Sequence, residues 1–361
     1  MSDPISFPVL MFGAGAIGTY VGGSLALAGH RVVFIEQPSV AEELVARGLR
    51  LDLTVDKRRR IRGVLVVNPA SFACVSSLEQ ALEYGPFGAA IFAMKSFDTA
   101  AALEAIRPWA VRMPPVLCLQ NGVDNEPAIA AILGADRVIA GTLTGSIGRR
   151  AAGDIVLEKA RGIGVAAGNP LSVQLTTLLD AAELNAHLYP QAADMKWSKV
   201  LMNLPGSATS AIVDMTPGEV FSHPGLYALE RRISQEALAV MKVQGVHPVD
   251  LPGIPVRALA LAARLPAFVA RPLLKRVVGG GRGGKMPSFH IDLHAGRKKS
   301  EVEYLHGAVV RYGEKFGVPT PVSRVMVETL LALVRGEIPI EEFSRRPEKL
   351  IRRVAESQGR A

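Results

Sequence analysis

The 361-residue chain is 49% hydrophobic and 20% charged, which supplies a folded core and excludes a disordered segment. Its formal charge of +8, from 41 Lys and Arg against 33 Asp and Glu, concentrates in the stretches 57–60, 271–285 and 345–360. None of these carries interleaved aromatics, so they read as solvated surface and nucleic acid is excluded as a partner. No apolar run approaches the ~20 residues of a bilayer span, and the N-terminus lacks the charged-then-apolar pattern of a leader. With only Cys74 and Cys118 there is no disulfide framework. A cytoplasmic chain of two domains is expected, with no membrane partner.

Taken in order, short apolar runs at Val9–Phe12, Val32–Ile35, Val64–Val67, Ala89–Ala93 and Val116–Leu119 alternate with amphipathic stretches, the rhythm of a parallel βα sheet. Between Gly48 and Val67, alternating Leu49, Leu51 and Leu53 followed by charges and a β-branched run predict a β-hairpin inserted in that sheet's wiring. Further strands are expected at Val138–Thr144, Gly153–Glu158 and Gly162–Ala167. After Tyr189-Pro190 the apolar spacing turns to three and four, predicting helices over 192–204, 218–244, 256–269, 288–316 and 321–333. Five glycines among basic residues in 277–285 predict a loop.

Gly13-Ala14-Gly15-Ala16-Ile17-Gly18 follows the first strand directly and opens a helix through Leu27. In the strand–GxGxxG–helix setting, Gly13 permits the tight turn, Gly15 leaves room for a pyrophosphate, and Gly18 lets helix and strand pack closely. The helix N-terminus then offers free N–H groups and partial positive charge to phosphates. Glu36, at the end of the second strand, stands where a carboxylate takes adenosine ribose hydroxyls and repels a 2′-phosphate. Gln37 follows it instead of an arginine, which favours NADH over NADPH; Arg31 and Lys57–Arg60 are the basic residues the fold could still bring there. The fold class is therefore α/β: a Rossmann-type dinucleotide-binding domain over 1–190, then an all-helical substrate and catalytic domain over 191–361.

Carbonyl reduction needs a proton donor and polar groups that fix the substrate's other end. Lys95 and Asn121-Gly122 end successive strands, where open α/β sheets place their sites. Lys199 and Asn203 are four apart on one helix face after Trp197, and Glu301 lies in Ser300-Glu301-Val302-Glu303-Tyr304. Ser288 opens a helical run and reads equally as an N-cap. His290 and His294 are also four apart, but no third ligand is in view, and no metal is expected.

These residues, in this order and with Gly317-Val318-Pro319-Thr320-Pro321 after them, resemble the ketopantoate reductase family, the 2-dehydropantoate 2-reductases, over nearly the whole chain. The resemblance implies Lys199 as general acid, Asn203 and Ser288 as holders of a 2-oxo acid, and Glu301 as its assistant at the catalytic centre. It also implies Lys95 and Asn121 as cofactor-binding residues beside the nicotinamide, NADPH as the usual cofactor, and a homodimer as the assembly to test. The partner is then a small 2-oxo acid held between the domains, with Glu301 keeping Lys199 charged and oriented. Four positions depart from the family pattern: Ser207 and Pro217 stand where substrate-binding asparagines are usual, His306 where another asparagine is usual, and Gln37 where an arginine is usual. Ser207 still falls at a substrate-binding position, but a pocket that loses amides should recognise an acid other than ketopantoate. The rival readings are an opine-type or other hydroxy-acid dehydrogenase, which would share the first domain, and a non-catalytic dinucleotide sensor, which would need neither Lys199 nor Glu301.

Overall fold

The computed structural model describes residues 7–265 and 286–358. The basic glycine-rich stretch expected as a loop, and the end of the helix expected to reach Val269, lie outside the described residues. The chain divides into two compact units, one of residues 1–120, 124–196 and 251–254, the other of residues 121–123, 197–250 and 255–361.

The first unit is α/β. Its strands are β1 (Val9–Phe12), β2 (Val32–Ile35), β3 (Leu49–Asp52), β4 (Val64–Val67), β5 (Phe72–Val75), β6 (Ala89–Phe92), β7 (Val116–Cys118), β8 (Val138–Leu143), β9 (Ser146–Ala151), β10 (Asp154–Lys159), β11 (Ile163–Ala166) and β12 (Ala186–Tyr189). Eight of them form one sheet in the order β12-β11-β8-β7-β6-β1-β2-β5, parallel from β8 through β5. Counting β1, β2, β5, β6, β7 and β8 as first to sixth, the order is 3-2-1-4-5-6, the doubly wound arrangement whose strand order reverses beside β1. β11 then joins β8 antiparallel, and β12 joins β11 parallel.

Side chains alternate along β1: Val9 and Met11 enter the core on one face of the sheet, Leu10 and Phe12 the core on the other. The hairpin expected between Gly48 and Val67 forms as β3 and β4, paired antiparallel from Leu49↔Val67 to Asp52↔Val64. It does not enter the main sheet; with β10 and β9 it makes a separate four-stranded sheet, β4-β3-β10-β9. The reason lies in α1 (Ala16–Leu27), which is buried on all sides from Gly18 to Ala26. Its Gly22 lies against Phe34 of β2, and its Gly23 against Leu51 of β3, so the helix is packed between two sheets. The alternating Leu49, Leu51 and Leu53 are the residues that cover its second face, and all three are fully buried.

The remaining helices of this unit are α2 (Pro38–Arg47), α3 (Leu78–Glu83), α4 (Thr99–Ile106), α5 (Asn125–Leu133) and α6 (Ser172–Ala181); α7 (Ala192–Asn203) begins in it. Strands β5, β9 and β12 are absent from the sequence expectation. Each is largely half-buried or exposed; β9 and β12 interrupt their apolar residues with Arg or His, whereas β5 is a short apolar run, Phe72-Ala73-Cys74-Val75, that sequence reasoning passed over.

The regular elements described in the second unit are helical: the rest of α7, then α8 (Ser207–Val213), α9 (Pro217–Ser222), α10 (Pro224–Val243), α11 (Val256–Arg264), α12 (Ser288–His294), α13 (Val302–Phe316), α14 (Pro321–Arg335) and α15 (Pro347–Gln358). The single helix expected over 218–244 is two, because Pro224 drives His223 out of helical geometry (φ −83°, ψ 120°). His223 instead caps α10, its Nδ1 accepting from the Leu226 N–H at 3.3 Å. The helix expected over 288–316 also breaks, after His294, where Gly296 takes a left-handed φ of +70°. No described helix is long and apolar enough to cross a membrane.

A Cβ on Gly18 would stand 1.8 Å from the Gly13 carbonyl oxygen, whereas one on Gly15 would meet nothing within 4 Å. Gly18→Ala should therefore destabilise the protein by about 1–3 kcal/mol or more through overpacking. Gly15→Val should melt close to the parent. Thermal melts followed by circular dichroism check the contrast, and equal melting temperatures for the two variants would remove the close approach as a folding constraint.

Candidate active site

The C-terminal end of β1 sets the first half of the site. Gly13 has a φ of +94°, its N–H donates to Ile35 O at 3.1 Å, and the chain then turns into α1 with Gly15 as the N-cap. A Cβ on Gly15 would meet nothing within 4 Å, so the space beside the start of α1, where helix N–H groups lack intrahelical partners, is open to a phosphate. The residues present thus fit a dinucleotide, with Gly13, Ala14, Gly15, Ala16, Ile17 and Gly18 as the cradle. Glu36 stands at the same edge: its Oε1 accepts from the Ala14 N–H at 2.6 Å and its Oε2 from the Gln37 N–H at 3.2 Å. A carboxylate is thereby fixed beside the glycine turn. Burial, followed by the charge of Glu36, pushes the Cys74 thiol up to about 12, and both Cys74 and Cys118 are buried and free.

Of the basic residues that the sequence left available for a 2′-phosphate, Arg31, Arg58 and Arg59 are engaged elsewhere. Arg31 precedes β2, at the opposite end of the strand from Glu36, and its guanidinium donates to Pro86 O at 3.2 Å. Arg59 is not solvated surface as its run suggested. It is 5% exposed, donates to Ser24 Oγ at 2.7 Å, and lies 3.7 Å from Asp56 and 3.6 Å from Glu183. Arg58 is paired with the same Asp56 at 2.9 Å, and the buried Asp56 explains why the run folds inward.

At the ends of β6 and β7, Lys95 is half-buried and caps a short 3₁₀ turn. The buried Gln120 donates to Thr99 Oγ1 at 2.8 Å and to the carbonyls of Met94 and Lys95 at 3.3 and 3.4 Å, locking the two strand ends together. The Gln120 carbonyl accepts from Lys196, whose ammonium also reaches Gly141 O at 3.3 Å and pairs with Glu126 at 2.7 Å. Burial alone would lower the Lys196 pKa, but the Glu126 carboxylate and the Cys118 thiol outweigh it and hold it above the ordinary lysine value. Sequence reasoning passed over Lys196, because nothing in Lys196-Trp197-Ser198-Lys199 distinguishes a buried ion pair from a surface lysine.

In the second unit, α7 presents Lys199, 7% exposed, and the half-buried Asn203 one turn later. A lysine this deeply buried is unusual unless it is held by partners. The segment is anchored by Trp197, which meets Tyr312 of α13 edge-on at 5.2 Å, and by Ser198, whose hydroxyl accepts from Val249 N–H at 2.8 Å. Glu301 is the N-cap of α13, 5% exposed, and Asn121 donates to it over a long 3.5 Å. The Asn121-Gly122 turn lies tight on that helix, since a Cβ on Gly122 (φ +89°) would be 2.9 Å from Tyr304 O. Ser288 is exposed as the first residue of α12, and the N-cap position belongs to Pro287.

Two of the departures from the family pattern lie together. The Ser207 hydroxyl is 2.8 Å from Leu204 O and 3.1 Å from His306 Nε2. With one proton to give, and the carbonyl the closer acceptor, Ser207 donates to Leu204 and accepts from an Nε2–H of neutral His306. Burial lowers the His306 pKa to about 3, which keeps the ring neutral. Pro217, the third departure, is buried at the start of α9, which Thr216 and Glu219 close with reciprocal hydrogen bonds.

A glycine turn opening on a free helix N-terminus, at the reversal point of a 3-2-1-4-5-6 sheet, belongs to dinucleotide-dependent oxidoreductases. Within that class, the family model for ketopantoate reductase PanE/ApbA matches residues 9–169, and that for the ketopantoate reductase PanE/ApbA C terminal matches residues 191–335. The chain belongs to this family. The 2-dehydropantoate 2-reductase of Archaeoglobus fulgidus is 27% identical over 332 residues, 91% of this chain and 97% of that protein. That of Halobacterium salinarum is 28% identical over 337 residues, 89% of this chain and 96% of its own length. Among solved structures, a PanE/ApbA family ketopantoate reductase from Ralstonia eutropha is 26% identical with a TM-score of 0.74, covering 92% of this chain and 99% of that one. A D-mandelate dehydrogenase with NADH and anilino(oxo)acetate shares the fold, at 20% identity and a TM-score of 0.72 over 91% of this chain and 99% of its own.

His306 makes the acid sensitivity of the fold testable. Its folded pKa of about 3 lies below the ordinary 6.5, so between those values the unfolded chain binds a proton that the folded chain refuses. Stability from this group is complete above about pH 6.5 and falls as pH drops, by up to ~1.4 kcal/mol per unit. Denaturant melts at pH 7 and 5 should show a smaller acid loss for His306→Asn than for the parent. An unchanged loss would remove buried His306 as the cause.

Proposed function

We propose that the chain reduces the carbonyl of a small 2-oxo acid to a 2-hydroxy acid with a reduced nicotinamide dinucleotide, NADH preferred. The observation that carries this reading is the buried Lys199 on α7, one turn before Asn203, in a chain whose two halves both match ketopantoate reductase. Gly13, Ala14, Gly15, Ala16, Ile17 and Gly18 would hold the pyrophosphate, Glu36 the adenosine ribose, and Lys95 and Asn121 the nicotinamide end. When bound, the reduced cofactor supplies the hydride.

Lys199 keeps a proton at its Nζ and delivers it to the oxygen as the carbonyl is reduced, so the alkoxide never stands alone in a desolvated site. Glu301 opposes that ammonium charge and orients it, while Asn121, bonded to Glu301, ties the cofactor residues to the acid–base pair. Asn203 and Ser288 hold the acid's carboxylate and carbonyl end. Ser207 borders the same pocket with a short hydroxyl already engaged by Leu204 and His306, and Pro217 brings no side-chain hydrogen bond at all. The substrate that fits these replacements has fewer hydrogen-bonding groups on its tail than ketopantoate.

Lys199→Ala should lose turnover by about 10²- to 10⁴-fold, with cofactor affinity little changed. Steady-state oxidation of the reduced cofactor with a panel of 2-oxo acids measures this. Near-normal turnover at saturating substrate would reduce Lys199 to a binding residue.

Glu36, fixed at 2.6 Å from the Ala14 nitrogen, supports the NADH preference by opposing a 2′-phosphate. NADPH should bind at least about tenfold more weakly than NADH, equivalent to ~1.4 kcal/mol. Titrating both in one buffer tests it, and tighter binding of NADPH would overturn the preference.

A further inference from the structure

We infer that Asp214, His290 and His294 form a binding site for a divalent transition ion, with zinc as the fitting case. His290 and His294 stand one turn apart on α12, their rings stacked at 4.0 Å between centroids and 27° between planes. The ligand the sequence lacked comes from 76 residues earlier, where Asp214 ends α8 and places Oδ1 2.8 Å from His290 Nε2. One ligand atom from each of the three side chains lies within 4.8 Å of the others. A hydrogen-bonded joint between the two helices would need only the His290–Asp214 pair. The exposed His294, drawn to the same point, is the feature such a joint leaves unexplained.

The donor set selects the ion. Two imidazole nitrogens and one carboxylate oxygen suit zinc and its transition-metal neighbours, whereas magnesium and calcium prefer oxygen alone. Histidines at i and i+4 on one helix face are a recurrent zinc spacing, and three protein ligands leave the fourth position to water. The carboxylate is also supported from behind. Asp214 takes a left-handed φ of +50°, unusual for a residue with a side chain, and Ser344 Oγ donates to its Oδ2 at 3.1 Å, leaving Oδ1 turned to the rings. A bound ion would clip the end of α8, the helix that opens with Ser207, to α12, which opens with Ser288.

The test uses untagged full-length protein, stripped with chelator and dialysed against zinc, with metal content and melting temperature as readouts. A single zinc per chain and a raised melting temperature are expected. His294→Gln changes an exposed side chain and leaves the His290–Asp214 bond in place, so it should fold normally. Since even supporting residues of metal sites are worth about 10- to 100-fold in affinity, loss of this ligand should weaken zinc binding at least about tenfold. Asp214→Asn should do the same, and magnesium should give no shift in the parent. No zinc retained at micromolar concentration, or zinc retained equally by His294→Gln, would overturn the site and leave a hydrogen-bonded helix joint. Neither readout depends on reductase activity.

Discussion

The close approach of α1 to β1 governs the first unit. Gly18 passes so near Gly13 that no side chain fits between them, and this contact sets the start of α1 against the end of β1. The same closeness continues along the helix. Gly22 meets the ring of Phe34 in the main sheet, and Gly23 meets Leu51 in the smaller one, so one helix is enclosed by two sheets. The glycine turn is therefore held by the core itself, and a dinucleotide there would meet backbone groups that have little freedom left to lose.

Buried charge is the second organising feature. Lys196 inside the first unit is balanced by Glu126 and two carbonyls; breaking such a pair from one side costs about 3–5 kcal/mol, because the remaining charge stays buried. In the second unit, Glu230 accepts from the Gly206 N–H at 2.7 Å and so sets the turn before α8. Glu236 accepts from the Val322 and Ser323 N–H groups at 2.9 and 2.8 Å, an anion at the start of α14. Burial outweighs these bonds and raises the Glu236 pKa, so that cap is a carboxylate held at some cost. Glu230 and Glu236 thus fix the turn before α8, the helix that opens with Ser207, and the start of α14.

The Ser207–His306 pair shows how departures from a family pattern can be one change instead of two. A hydroxyl is shorter than an amide, and the imidazole that replaces a second amide reaches across to it. The single proton of the neutral ring sits on Nε2 and is given to Ser207, since burial keeps His306 from taking a second. A histidine there without the serine would leave its buried Nε2–H unanswered.

The sequence by itself determined the strand–turn–helix at Gly13–Gly18, most strands of the main sheet, the change to helices after Tyr189-Pro190, and the family to which the chain belongs. These rest on local patterns: period-two and three-to-four apolar spacing, and glycines demanded by geometry within a few residues. It did not determine where β3 and β4 pair, because a hairpin's alternation names a buried face without naming what covers it. Only the tertiary structure placed them on α1 with β9 and β10. Arg59 reads as one of four consecutive basic residues, yet Asp56, Ser24 and Glu183 draw it inside. Lys196 and Glu126, Ser207 and His306, and Asp214 with His290 are partners 70, 99 and 76 residues apart. Such pairings carry no periodic signal, since electrostatic and hydrogen-bond partners are chosen by distance in space, and that distance exists only once the helices have packed.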